Sequence, residues 1–292
     1  MTEQHESRAA DPLVTGVVFS KDRALQLDAT ISSFFRHLAD PNEIRLNVLF
    51  AATNPSHKAQ YDTLAKTYPN VVFHPEHQFQ TQLKAILQNA PYTLFLVDDN
   101  IFVRPFSLQT ACKSLGNDDN TLGVSLRLGT NTNYCYSLNQ PQRIPQYTRT
   151  PFGLLSYNWS GEECDFNYAL EVSSSIYRTD LIQLLLSQTE FTNPNTLEAR
   201  LYDLLPALRE PFPALLCYEK SVTFCNPINI VQTEYTNNRA GGKTQYSSAS
   251  LSALFDSGQR IAVERYDGYN SRAAHEEVEL YLKSGQNTGG AN

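Results

Sequence analysis

The stretch Thr93 to Pro105 reads TLFLVDDNIFVRP, and the fold turns on it. Leu94 to Val97 form a short continuous apolar run of the kind that builds a buried strand. The run breaks on two adjacent carboxylates and an amide, then turns apolar again. A bare carboxylate beside a core costs several kcal/mol unless a proton, a cation or hydrogen-bond donors meet it. Asp98 and Asp99 therefore demand a partner, and the rest of the chain is read for one.

Working back towards the N-terminus, the sequence alternates between strand-like and helix-like segments. Leu13 to Phe19 is a β-branched run, and from Ala24 to Leu38 the apolar residues Ala24, Leu27, Ile31, Phe34, Phe35 and Leu38 keep helical spacing. Ile44 to Ala51 predicts a second strand. Ser56 to Tyr68 predicts a second helix, with Ser56 placed to cap it and Pro69 just beyond it. Asn70 to Phe73, Phe79 to Asn89 and Tyr92 to Val97 continue as strand, helix and strand. Such alternation implies an α/β fold with a mainly parallel central sheet and helices on both faces. Ligands of open sheets of this kind bind outside the carboxyl ends of the strands. Ser20 to Arg23, Thr53 to Asn54, His74 to His77 and Asp98 to Asn100 all fall on that rim.

Beyond Arg104 the rhythm changes. A helix is expected around Leu108 to Leu115 and a strand at Leu122 to Leu128. Gly129 to Gly161 is polar, aromatic and interrupted by Pro141, Pro145 and Pro151, and reads as a long loop. Tyr168 to Tyr177 returns to strand character and Leu181 to Ser187 to helix. Thr196 to Leu205 is a helix behind the turn residues NPN, stopped by Pro206. Ser221 to Val231 closes the series as a strand, and Asn237 to Ser248 reads as a flexible loop.

The 292 residues, 41% hydrophobic and 18% charged, suit a well-packed core and exclude disorder for the bulk of the chain. A net charge of −7 without any Lys/Arg run argues against a nucleic-acid backbone as partner. Five scattered cysteines with no CxxC pair indicate neither a disulfide framework nor a zinc knuckle, and fit buried thiols in a reducing cytoplasm. No signal-peptide core or membrane-length apolar run occurs, so a soluble, cytoplasmic protein is expected.

The segments VVFSKDRALQLDATISSF, FLVDDNIFVRP, VSSSIYRTDL and NPNTLEARL, taken in order, resemble nucleotide-sugar-dependent glycosyltransferases of the GT-A fold, most like the inverting family-two type. The likeness covers roughly Leu13 to Leu205. It implies one GT-A-like domain at 13–284, flanked by tails at 1–12 and 285–292 that are expected to be disordered, the latter from its composition GQNTGGAN. Within that domain, 13–105 would bind nucleotide and 106–284 would form a mixed acceptor-binding region.

The resemblance also implies roles. In the family an acidic motif after the fourth strand meets the nucleotide ribose and a divalent cation, Mn2+ or Mg2+, that bridges the diphosphate of a UDP- or GDP-type donor. Here that motif is Asp98-Asp99-Asn100, an amide replacing the last carboxylate, with Asp99 and Asn100 as the metal ligands. His275 corresponds to the histidine by which several members complete the cation's shell, although a lone helix histidine is otherwise an exposed one. Ser20, Lys21 and Arg23 fall where the first loop touches nucleotide, with Lys21 and Arg23 able to neutralise phosphate or to pair with the aspartates. Where the family often reads the base with an aspartate, this chain offers AATNPS, leaving Thr53 and Asn54. Gln82 and Lys84 fall near the diphosphate.

For the chemistry, inverting transfer needs a carboxylate to take the acceptor hydroxyl proton. The resemblance gives that role to Glu198, with Asp165 and Glu171 behind it. A capping box of Asn195 with Glu198 is the competing local explanation. Tyr157 and Trp159 offer aromatic faces for an acceptor glycan or small molecule, or else anchor the core. His74 and His77 share a metal-like spacing, but Pro75 between them makes a rim loop the better reading. The expected activity is sugar transfer from a nucleotide diphosphate to an acceptor; a GT-A-fold protein that binds nucleotide or glycan without turnover is the alternative. A nucleotidyltransferase is disfavoured because FSKDR lacks the glycine-rich signature of those enzymes.

Overall fold

The structure, a computed structural model, describes residues 11–88, 90–232, 234 and 239–285. The first half runs β1 (Val14–Lys21), α1 (Ala24–His37), β2 (Ile44–Ala51), α2 (Pro55–Thr67), β3 (Val71–Pro75), α3 (Phe79–Ile86), β4 (Tyr92–Val97) and β5 (Asn100–Phe102). There follow α4 (Leu108–Gly116), β6 (Thr121–Ser125) and four short strands, β7 (Tyr134–Cys135), β8 (Gln140–Pro141), β9 (Thr148–Arg149) and β10 (Leu155–Asn158). The chain ends through β11 (Ser174–Arg178), α5 (Thr179–Ser187), α6 (Pro194–Leu208), β12 (Ala214–Cys217), β13 (Thr223–Cys225), α7 (Ser248–Asp256), β14 (Gln259–Ile261) and β15 (Leu282–Ser284).

Nine strands form one sheet in the order β3-β2-β1-β4-β11-β6-β12-β10-β9. The first four are parallel neighbours. β11 then enters antiparallel to both β4 and β6, so the later strands extend the same sheet. Period-two alternation sends side chains to two cores. Val14 and Val18 of β1 join Leu94 and Leu96 of β4 beneath α1, α2, α4 and α7. Val17, Phe19 and Phe95 face the opposite way, beneath α3, α5 and α6. Burial on both faces explains why these strands read as continuous apolar runs.

The opening stretch now has its geometry. β4 ends at Val97, the chain turns on Asp98 and Asp99, and Asn100 braces the turn by accepting the Val97 N–H at 2.9 Å. The apolar run resumes because β5 leaves the main sheet and pairs antiparallel with β13, burying Ile101, Phe102 and Val103.

Several expected boundaries shift for local reasons. Asn54, not Ser56, caps α2, accepting the His57 N–H, and Pro55 occupies the first turn. α6 begins at Pro194 behind a capping box of Asn193 and Thr196, not Asn195 and Glu198, and runs through Pro206. The predicted strand at Tyr168 to Tyr177 is regular only from Ser174, and that at Ser221 to Val231 only over Thr223–Cys225. β12 and α7 were not predicted. Part of the supposed loop at 237–248 is a helical turn at Thr244–Tyr246 that leads into α7. Apart from 11–12 and 285, the expected tails lie outside the described residues.

Candidate active site

A cleft of about 1120 Å³ opens over the carboxyl ends of β1 and β4 and extends to the N-terminal turns of α6. At its β1/β4 end, Asp98 is almost fully buried. Its carboxylate accepts hydrogen bonds from Ser20 Oγ at 2.9 Å, the Lys21 N–H at 3.2 Å and Arg23 Nη1 at 3.0 Å. Arg23 also reaches Asp99 Oδ2 at 3.5 Å and donates to the carbonyl of Asn229. Arg23 is the partner that the sequence demanded. Burial opposes its charge, but Asp98 and Asp99 outweigh that and raise its pKa.

Asp99 is less completely served. Its Oδ1 is buried without a hydrogen-bond partner. Burial raises its pKa to about 6, against the lowering pull of Arg23 and with a further rise from Asp98. His275 lines the same cleft. It stands on no helix: the chain on either side of it pairs with Cys225, which lies opposite Asn100 in the β5/β13 ribbon. Its Nδ1 is likewise buried without a partner, and burial reinforced by Arg127 lowers its pKa to about 3. Among the described residues no three His, Cys, Asp or Glu side chains gather into a ready cation cage.

At the α6 end, Arg127 rises from just beyond β6, 3% exposed, with Glu171 at 3.8 Å and Ser173 Oγ at 3.1 Å. Glu171 is the counter-ion. It is enclosed by the N–H groups of Ser173 and Ser174 and the hydroxyls of Ser173 and Ser175, which leaves it no route to a substrate. Glu198 and Asp165 do line the cleft. Glu198 accepts the Val172 N–H at 3.1 Å. Burial raises its pKa, helped by Glu171 and opposed by Arg127. Asp165 is also raised by burial, with Arg127 opposing, and its Oδ2 has no partner. Because Asn193 and Thr196 supply the cap, Glu198 is free of that duty.

Other expected site residues lie elsewhere. Ser20 and Lys21 line the cleft. Thr53 does not, because Asp22, at φ 53°, turns its carboxylate onto the Thr53 N–H and Oγ1 at 2.8 and 2.7 Å. Asn100 is fully buried, and its amide is consumed by the Val97 N–H and Cys225 Sγ. Lys84 borders a separate depression with Gln88, Gln183 and Ser187. Gln82 spends its amide bracing 75–78. Tyr157 and Trp159 are core, not acceptor platforms: Trp159 is 0% exposed with its Nε1 on the Phe212 carbonyl at 2.6 Å, and Tyr157 packs edge-on to Tyr147 and Phe166. His74 Nε2 lies 3.0 Å from Asn47 Oδ1.

Sequence reading overlooked Arg127, Tyr168, Tyr202 and Glu76, all cleft-lining. For Arg127 a signal existed, since a lone charge in LGVSLRLG poses the same question as Asp98 in its own run. Glu76 follows β3, and burial raises its pKa against the pull of Lys21.

The fold and cleft invite comparison with known proteins. No family model matches the chain. Over 188 residues it is 32% identical to the bifunctional glycosyltransferase pgtA of Dictyostelium discoideum, an alignment covering 59% of this chain and 24% of the relative. Over that stretch the chain is homologous to a glycosyltransferase. It thus spans about a quarter of the length of the curated glycosyltransferase it matches. Among solved structures, S. aureus TarS aligns over 73% of this chain and 36% of its own, at 14% identity and TM-score 0.46. The mannosyltransferase PcManGT from Pyrobaculum calidifontis, solved with GDP-Man and Mn2+, aligns over 60% and 47% at 12% identity and TM-score 0.37. Those likenesses are loose, and the α/β architecture rests on the strand order itself. No described helix is long and apolar enough to cross a membrane.

Proposed function

We propose that the protein transfers a sugar from a nucleotide diphosphate donor to an acceptor hydroxyl, with Glu198 as general base. One observation carries the reading: a single cleft joins the Lys21, Arg23, Asp98 and Asp99 rim to two raised-pKa carboxylates, Glu198 and Asp165. In the step, the acceptor oxygen attacks the anomeric carbon and forms a C–O bond. The bond to the diphosphate breaks, the nucleotide diphosphate leaves with that electron pair, and the hydroxyl proton passes to the Glu198 carboxylate. Ser20 and the Lys21 backbone fix Asp98, while Lys21 and Arg23 bring positive charge to the end where the diphosphate develops its own.

A divalent cation, Mn2+ or Mg2+, would be held by Asp99 Oδ1 and His275 Nδ1, two cleft atoms without hydrogen-bond partners in the protein. The carboxylate oxygen suits either ion, and the imidazole nitrogen favours Mn2+ over the harder Mg2+. When bound it would add positive charge against the leaving diphosphate. A nucleotide-binding protein without turnover is the second reading, favoured by the Arg23 guanidinium already lying between Asp98 and Asp99. Calorimetric titration with UDP and GDP, with and without Mn2+, beside a donor-hydrolysis assay, tests the proposal. Nucleotide binding with hydrolysis supports transfer, binding alone supports the second reading, and no binding overturns both.

A further inference from the structure

Few large apolar side chains are exposed among the described residues, and three of them, Leu138, Tyr202 and Ile230, at 60%, 52% and 45%, line this one cleft. Tyr202 lies one helical turn after Glu198 on α6, so both side chains look into the same space. Its ring stacks on that of Tyr168, centroids 5.3 Å apart and planes 27° apart. Tyr168 also lies beside Glu198, near enough for the two to shift each other's pKa. The candidate base and an exposed aromatic face thus share one wall of the cleft, Tyr202 one turn from Glu198 and stacked on Tyr168, with the unpartnered Asp165 Oδ2 in the same cleft.

We infer that Tyr202 is the platform on which the acceptor docks, and that the acceptor is itself a sugar ring, a pyranoside. This rests on the transferase reading above and adds the acceptor's chemical class. A pyranose offers one face of C–H bonds for an aromatic ring and a rim of hydroxyls for carboxylate acceptors, and the cleft presents those two surfaces side by side. A lipid tail would meet the charged walls of Asp165, Glu198 and Arg127. A nucleobase could stack on Tyr202, but the Ser20 to Arg23 rim and the Asp98–Asp99 turn lie at the other end of the cleft. The half-exposed ring of Tyr202 carries little of the core, so its replacement leaves the fold intact.

The test is saturation-transfer NMR with a panel of methyl glycosides (glucoside, galactoside, mannoside and N-acetylglucosaminide) on wild type, Tyr202→Ala and Tyr202→Trp, beside UDP and GDP titrations of each. At least one glycoside should receive saturation, strongest on the C–H protons of one ring face. Tyr202→Ala should weaken it about tenfold, the scale of one lost aromatic contact; Tyr202→Trp should retain it, and nucleotide affinity should not move. Glycoside binding indifferent to Tyr202→Ala, binding of nucleotide but of no glycoside, or a loss of nucleotide affinity in Tyr202→Ala would each overturn the assignment. Tyr202-dependent glycoside binding without any nucleotide binding would sink the transferase reading while leaving the sugar site standing.

Discussion

Arg23 Nη1 lies 3.0 Å from Asp98 Oδ1, and the two side chains are only 10% and 5% exposed. This ion pair ties the end of β1 to the end of β4 and sets the floor of the cleft. Removing one member of a buried pair leaves the other uncompensated, a loss of about 3–5 kcal/mol. Arg23→Met should therefore lower the unfolding free energy by about that amount in urea. A loss under about 1 kcal/mol would mean that Asp98 is held by Ser20 and Lys21 alone.

Asp99 differs from Asp98 in having an unserved oxygen. Asp99→Asn should leave cation-free nucleotide affinity nearly unchanged and abolish most of the gain brought by Mn2+, measured by calorimetry. Equal gains from Mn2+ in wild type and variant would take Asp99 out of any cation shell.

Trp159 is fully enclosed with its indole N–H on the Phe212 carbonyl. Trp159→Ala should cost about 3–5 kcal/mol of stability, whereas binding of methyl glycosides by the folded fraction should persist. Loss of glycoside binding in a folded variant would return Trp159 to the acceptor site.

This tryptophan marks the limit of what the sequence discloses. Strand and helix alternation before Arg104 is legible because buried parallel strands and amphipathic helices carry strong periodic signals, and α1, β2 and β4 fall where the periodicity places them. Asp98 was legible too, since a carboxylate ending an apolar run must have a partner. Three-dimensional convergence is not written locally. Trp159 and Tyr157 look like sugar-binding aromatics in LLSYNWSG, but Tyr157 is buried against Tyr147 and Phe166, and Trp159 lies in the core with its indole on the Phe212 carbonyl. Tyr202, on the exposed side of an ordinary helix pattern, gains its meaning from Tyr168, thirty-four residues away. β12, four residues between Pro213 and the Glu219–Lys220 bend, is too short for its period to register, and the serines of α7 imitate a loop.

Burial raises the Glu198 pKa above its ordinary 4.5. A general base must be ionised, so transfer should be fully present above the raised value and fall as pH drops through it. The acid limb of the rate profile is expected above pH 4.5. A rate that stays flat down to that pH would show that no raised carboxylate controls the step.

Asp165 shares the sign of that shift, so the pH profile alone cannot separate the two. The deciding measurement is the transfer rate of Glu198→Gln, with nucleotide affinity and melting temperature recorded on the same preparation. Glutamine keeps the shape and can still accept the Val172 N–H, so fold and donor binding should hold while transfer falls roughly 10²-fold or more. Transfer at the wild-type rate in a folded, nucleotide-binding Glu198→Gln protein would contradict the account and pass the proton to Asp165.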